Sequence, residues 1–120
     1  MKSSSPRLQR INDEIRKEAA EIIRSELKDP RVGAMTTVTS AQATSDLKQC
    51  KIFVSILGDE NAKKEALTGL KNAAPFFRKM LASRINLRHT PEILFVLDES
   101  LDYGMKMDKI FKDLNANAQD

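Results

Sequence analysis

Cysteine, histidine and tyrosine occur once each in these 120 residues, and tryptophan is absent. A lone cysteine, Cys50, excludes an internal disulfide, and no metal-ligand spacing surrounds it. It reads as a small buried hydrophobe within a strand. The one histidine, His89, stands among arginines with no adjacent carboxylate, so a locally built catalytic pair is missing. Only four glycines are present, Gly33, Gly58, Gly69 and Gly104, too far apart for a phosphate-cradling loop. Aromatic residues make up 5% of the chain and fall mostly at apolar-stripe positions, which disfavours a sheet that stacks single-stranded bases. No apolar run approaches the ~20 residues of a membrane span, and no secretory pattern opens the chain. The basic stretches lack a leucine-rich or aromatic face, so a membrane-surface role is disfavoured too. Asp98, Glu99 and Asp102 match no calcium or zinc spacing, and helix capping accounts for Asp98. No enzyme activity, cofactor, metal, membrane or small-molecule substrate is expected. The expected compartment is a reducing cytoplasm.

Acid is also missing where base is concentrated. Lys71, Arg78, Lys79, Arg84 and Arg88 lie between residues 71 and 91, a window without one Asp or Glu. The formal net charge of +3 hides this asymmetry. Lys2, Arg7 and Arg10 make the first twelve residues purely basic, whereas residues 92–120 hold three bases against seven acids. A rigid surface of one sign calls for a partner of the other, and nucleic-acid backbone is the commonest. The competing reading is an ordinary solvated helix face.

The length fits one domain, and a chain of this size buries roughly 65% of its unfolded surface, enough for a core without staples. Ser5 can cap a helix that has Pro6 in its first turn. Leu8, Ile11, Ile15, Ala19, Ile22 and Leu27 then recur at helical spacing, and Asp29-Pro30 ends the run. A β-branched stretch, residues 34–43, and an alternating stretch, residues 48–57, flank a turn at Thr44–Asp46. They predict an antiparallel hairpin with Cys50, Ile52, Val54 and Ile56 on its buried face. Asp59 can cap a second helix with Ala62, Ala66, Leu70 and Ala73 in its stripe, and Leu67 and Ala74 beside it. Pro75 breaks that helix, which resumes with Phe76, Phe77, Met80, Leu81 and Ile85. Residues 93–97, ILFVL, are apolar on both faces, which suits a strand covered on both sides or flanked by neighbours. A last helix is expected from Asp98 or Ser100, with Tyr103, Met107, Ile110, Phe111 and Leu114 inward. The order helix–strand–strand–helix–kink–helix–strand–helix implies an α+β class with a three-stranded sheet backed by helices. Residues 1–5 are expected to be disordered up to the cap, residues 6–114 to form the domain, and residues 115–120 to fray.

Phe77, Met80, Leu81 and Ile85 turn inward in this pattern, which leaves Arg78, Lys79 and Arg84 outward, with Arg88 past the helix end. The turn after the kink offers free backbone N–H groups. The residues expected on phosphate are Lys71, Arg78, Lys79, Arg84 and Arg88, with Arg7 and Arg10 as a second patch and His89 as a weaker candidate. Binding by shape and charge to structured RNA fits this composition better than base-by-base reading.

Six stretches, in this order and spacing, resemble the ribosome-binding factor A family. They are KDPRVG (residues 28–33), TVTSAQATSDL (37–47), KIFVSILGD (51–59), LKNAAPFFRKML (70–81), RINLRHTPEILFVLDES (84–100) and YGMKMDKI (103–110). The resemblance covers residues 6–114. It implies a type II KH-like fold in which an AxG kink replaces the usual GxxG loop. Here that position reads Ala73-Ala74-Pro75, with proline where the family carries glycine. It also implies a non-catalytic factor that binds the 16S rRNA of free, immature 30S subunits as a monomer. Such a factor assists late maturation and precursor rRNA processing, matters for growth in the cold, and leaves before translation. Two alternatives stay open on the residues alone. One is a protein-interaction adaptor using the acidic tail or a sheet edge, and the other is a KH-like binder of RNA away from the ribosome.

Overall fold

Ser5 Oγ accepts the Leu8 N–H at 3.1 Å and starts the first helix, α1 (Pro6–Ser25), with Pro6 in the first turn where its missing N–H leaves no gap. The computed structural model describes residues 5–27, 32 and 36–99. The expected C-terminal helix, most of the KDPRVG stretch and both chain ends lie outside the described residues. Ile11, Ile15, Ala19 and Ile22 are buried along one face of α1, with Leu8 and Leu27 half-buried at its ends. Each buried isoleucine contributes on the order of 2 kcal/mol of apolar burial.

Strands β1 (Thr36–Ala43) and β2 (Gln49–Ile56) pair antiparallel, as the alternating pattern requires. Cys50, Ile52, Val54 and Ile56 form the buried face. The register slips between Val38 and Ser40, so Thr39 is the extra residue of a bulge. Its hydroxyl reaches Asp98 Oδ2 at 2.7 Å, beyond the far strand. In the connecting turn, Asp46 accepts from Thr44 Oγ1 at 2.7 Å and from the Lys48 N–H at 3.0 Å. Leu47 there has φ of 58° and is still buried. Burying a leucine yields about 2 kcal/mol, which offsets the ~1–2 kcal/mol penalty of the left-handed region.

Asp59 Oδ1 accepts the Ala62 N–H at 2.8 Å and caps helix α2 (Glu60–Asn72). Gly58 precedes it with φ of 148°, and a Cβ there would meet the Ala62 Cβ at 2.9 Å. The inward stripe of α2 is Lys63, Ala66, Gly69 and Leu70. Ala62 is exposed, contrary to the sequence expectation. Residues 63, 66 and 70 span a narrower arc than 62, 66 and 70, and the long apolar stem of Lys63 can lie along the core while its head reaches outward.

Helix α3 (Ala74–Arg84) follows after one residue and buries Phe77 and Leu81. Strand β3 (Glu92–Leu97) then runs parallel to β2, giving the order β1-β2-β3. The two-helix crossover supplies the length a parallel connection needs. Phe77 meets Phe95 edge-to-face, centroids 4.9 Å apart, and so fixes α3 on β3. Of the two expectations for β3, covered on both faces or flanked by neighbours, the described residues give it β2 as a neighbouring strand and cover one face. Phe95 is buried against the helices, while Leu94, on the opposite face, is 51% exposed.

Candidate nucleic-acid interface

Ala73 marks the break between α2 and α3. Its φ of −88° and ψ of 0° end one helix and begin the next. Its N–H bonds back to Gly69 and Leu70, and its carbonyl accepts from Phe77 at 2.9 Å. The expected kink is therefore present, but it sits two residues before Pro75. The proline occupies the first turn of α3, where a missing N–H interrupts nothing. No side chain caps α3, and no acidic residue stands in its first turn. The first turn of α3 thus has neither a side-chain cap nor a carboxylate for its N–H groups, a setting that favours an anion.

An open groove of about 700 Å³ runs from this turn to the start of β3. Pro75, Arg78, Lys79 and Ala82 form one wall, and Arg88, His89, Thr90, Glu92 and Ile93 form the other. Arg78 Nε donates to the Thr90 carbonyl at 3.1 Å, which orients its guanidinium across the groove. Lys79, Arg88 and His89 are exposed. Among the described residues, Glu92 is the one carboxylate on the lining.

The structure thus brings Arg78, Lys79, Arg88 and His89 together around one groove. Lys71 is exposed in the last turn of α2, outside the groove lining. Arg7 and Arg10 are exposed on the first turns of α1 and do not line the groove either. Arg84 is different, because it donates to Glu18 Oε1 at 3.2 Å and to Glu26 Oε1 at 3.4 Å. Its charge is spent on α1, and its side chain is only 25% exposed. Arg84 is therefore withdrawn from the phosphate-facing set. Thr90 and Ile93 were missed by sequence reasoning. Thr90 acts through its backbone carbonyl, which leaves no side-chain signal, and Ile93 reads simply as core.

Cys50 is fully buried, and burial pushes its thiol up to about 11, so it holds no reactive thiolate. Among the described residues, no group of three or more His, Cys, Asp and Glu side chains is placed to hold a metal ion. None of their helices is long and apolar enough to cross a membrane.

The order α1-β1-β2-α2-α3-β3, one three-stranded sheet with helices on its inner face, and a groove at the helix break define a type II KH-like α+β domain. Residues 7–111 match the family model described as Ribosome-binding factor A, and the chain belongs to that family. The family's relatives include the Ribosome-binding factor A of Lachnoclostridium phytofermentans, 48% identical over 97% of this chain and 85% of the relative. That of Caldanaerobacter subterraneus subsp. tengcongensis is 42% identical over 100% of this chain and 98% of the relative. The fold is shared with the crystal structure of ribosome-binding factor A from Thermus thermophilus, at a TM-score of 0.69 and 24% identity, over 78% of this chain and 97% of that one. A homology model of the Thermus thermophilus factor, fitted into the cryo-EM map of a 30S-RbfA complex, superposes at a TM-score of 0.61 with 25% identity. That match covers 73% of this chain and 91% of the other.

Proposed function

We propose that this protein is a non-catalytic assembly factor that binds the 16S rRNA of immature 30S subunits and assists late maturation and precursor rRNA processing. The reading rests on one observation above the rest. Arg78, Lys79, Arg88 and His89 converge on a groove that opens at an uncapped helix N-terminus. Family membership and the 30S complex of the Thermus thermophilus relative support the choice of subunit. The protein acts as a monomer in the cytoplasm, and it works by binding one rRNA arrangement better than others, which shifts the population without bond chemistry.

Lys71, Arg78, Lys79 and Arg88 are the phosphate contacts in this reading, with Arg7 and Arg10 as a second patch on α1. Four neutralised phosphates give a log-affinity against log-salt slope of about −3 to −4. The double variant Arg78→Glu/Lys79→Glu should lose co-sedimentation with immature 30S subunits while its melting temperature stays near that of the parent. A folded double variant that still co-sediments at full level removes the groove from the site.

A further inference from the structure

One edge of the sheet is open among the described residues. β1 bonds to β2 on one side and has no strand on the other. In an antiparallel edge strand, alternate residues turn their N–H and C=O groups away from the partner. Ala43 is such a residue, because its N–H meets Asn12 Oδ1 of α1 at 2.9 Å while the next N–H, from Thr44, bonds to Gln49 of β2. Two residues back, Ala41 shares that outward aspect. Apart from Asn12 on Ala43, no other element among the described residues bonds to the outer backbone edge of β1.

Helix α1 runs antiparallel beside this edge and leaves two consecutive hollows, of about 660 and 460 Å³. End to end they make a trough that borders residues 36–38 and 40–43 of β1, a strand of roughly 27 Å. Ala20, Ile23 and Leu27 give it an aliphatic wall. Thr36 Oγ1 is buried on the same trough without any hydrogen-bond partner among the described residues. An unsatisfied buried hydroxyl costs about 1–3 kcal/mol, and a group arriving from outside would relieve it. Arg16 stands on the lining with no described carboxylate paired to it, whereas Arg24 is bonded to Glu21.

We propose that the outer edge of β1 is a strand-addition site for an extended segment of a partner protein. That segment presents aliphatic side chains to α1 and an acidic side chain to Arg16. The free backbone groups supply affinity and the hollows beside them select side chains. Nucleic acid suits the trough poorly. No aromatic side chain among the described residues lines it for bases to stack on, Arg24 is already bonded to Glu21, and the Asp13 carboxylate stands on the lining. The site lies at the β1 edge, opposite the β3 edge that borders the basic groove, so it stands or falls independently of rRNA binding.

The test titrates the full-length, isotope-labelled protein with a blocked synthetic peptide of about nine residues, alternating valine and threonine around a central glutamate. Amide shifts should fall on residues 36–41 and along residues 16–27, and the Ala41 amide should exchange about tenfold more slowly. Ala20 is an exposed helix position, so Ala20→Glu should fold normally and weaken peptide binding about tenfold by filling the hollow. Lysine in place of the peptide's glutamate should weaken binding as well. The proposal is overturned by shifts absent at millimolar peptide, by shifts at the α3–β3 groove, or by an Ala20→Glu variant that binds as well as the parent. A single-stranded oligouridine producing the same shifts, or concentration-dependent self-association through β1, also overturns it.

Discussion

Arg84 Nη1 donates to Glu18 Oε1 at 3.2 Å, joining the last residue of α3 to the middle of α1 across 66 residues of sequence. A second carboxylate, Glu26, closes on the same guanidinium at 3.4 Å. The pairing turns a cation that looked free for RNA into a strut between two helices. All three side chains are partly exposed, so solvent screening limits what they contribute. Arg84→Ala should lower stability by about 0.5–1 kcal/mol in urea unfolding and leave 30S co-sedimentation unchanged. A loss of subunit binding as deep as that of the Arg78/Lys79 double variant would restore Arg84 to the site.

Pro75 lies in the first turn of α3, and the chain already breaks at Ala73. Glycine at position 75 should therefore keep the break. It should destabilise by about 0.5–1 kcal/mol, chiefly through added freedom in the unfolded chain. Subunit binding by Pro75→Gly should remain within about twofold of the parent. A folded Pro75→Gly protein unable to bind would show that the ring itself shapes the groove.

Asp46 carries a pH signature. Its hydrogen bonds from Thr44 Oγ1 and the Lys48 N–H hold the carboxyl below its usual value. A depressed native pKa stabilises the fold above the unfolded value, near 3.9, and that contribution is lost as pH falls through the native one. The stability difference between the parent and Asp46→Asn should be constant from about pH 6 to 8 and shrink below about pH 4. A difference that does not change down to about pH 2 would mean the carboxylate charge plays no part in the turn.

Burial raises the Cys50 thiol to about 11, so the unfolded chain ionises before the native one. Stability contributed by the buried neutral thiol is present at neutral pH and declines as pH rises past the unfolded value, about 8.5. At about pH 8 a thiol reagent should react with Cys50 only as fast as the protein opens, and at full speed in denaturant. Rapid labelling of the folded protein would contradict its burial.

Much of this architecture was legible in the chain because it depends on local periodicity. The stripe from Ile11 to Ile22, the alternation from Cys50 to Ile56, and the caps at Ser5 and Asp59 each follow from spacing of 3.6 or 2 residues, or from a side-chain oxygen three residues before an N–H. The clustering of Arg78, Lys79 and Arg88 was partly legible, since two of them are neighbours on one helix. The break was legible as an event at Ala73-Ala74-Pro75 but not as a location. Proline tolerates the first turn of a helix, so it can follow a break as readily as make one.

The sequence by itself determined which residues become helix and strand, which face of most of them is apolar, and that positive charge gathers near the break between α2 and α3. Those properties reside in neighbours along the chain. Only the tertiary structure decided that β3 lies parallel to β2 and brings Arg88 opposite Arg78. It alone set Arg84 against Glu18 and Glu26 and left β1 as an edge beneath α1. These outcomes depend on contacts between residues tens of positions apart, and no local pattern encodes which charge meets which once the chain has closed on itself.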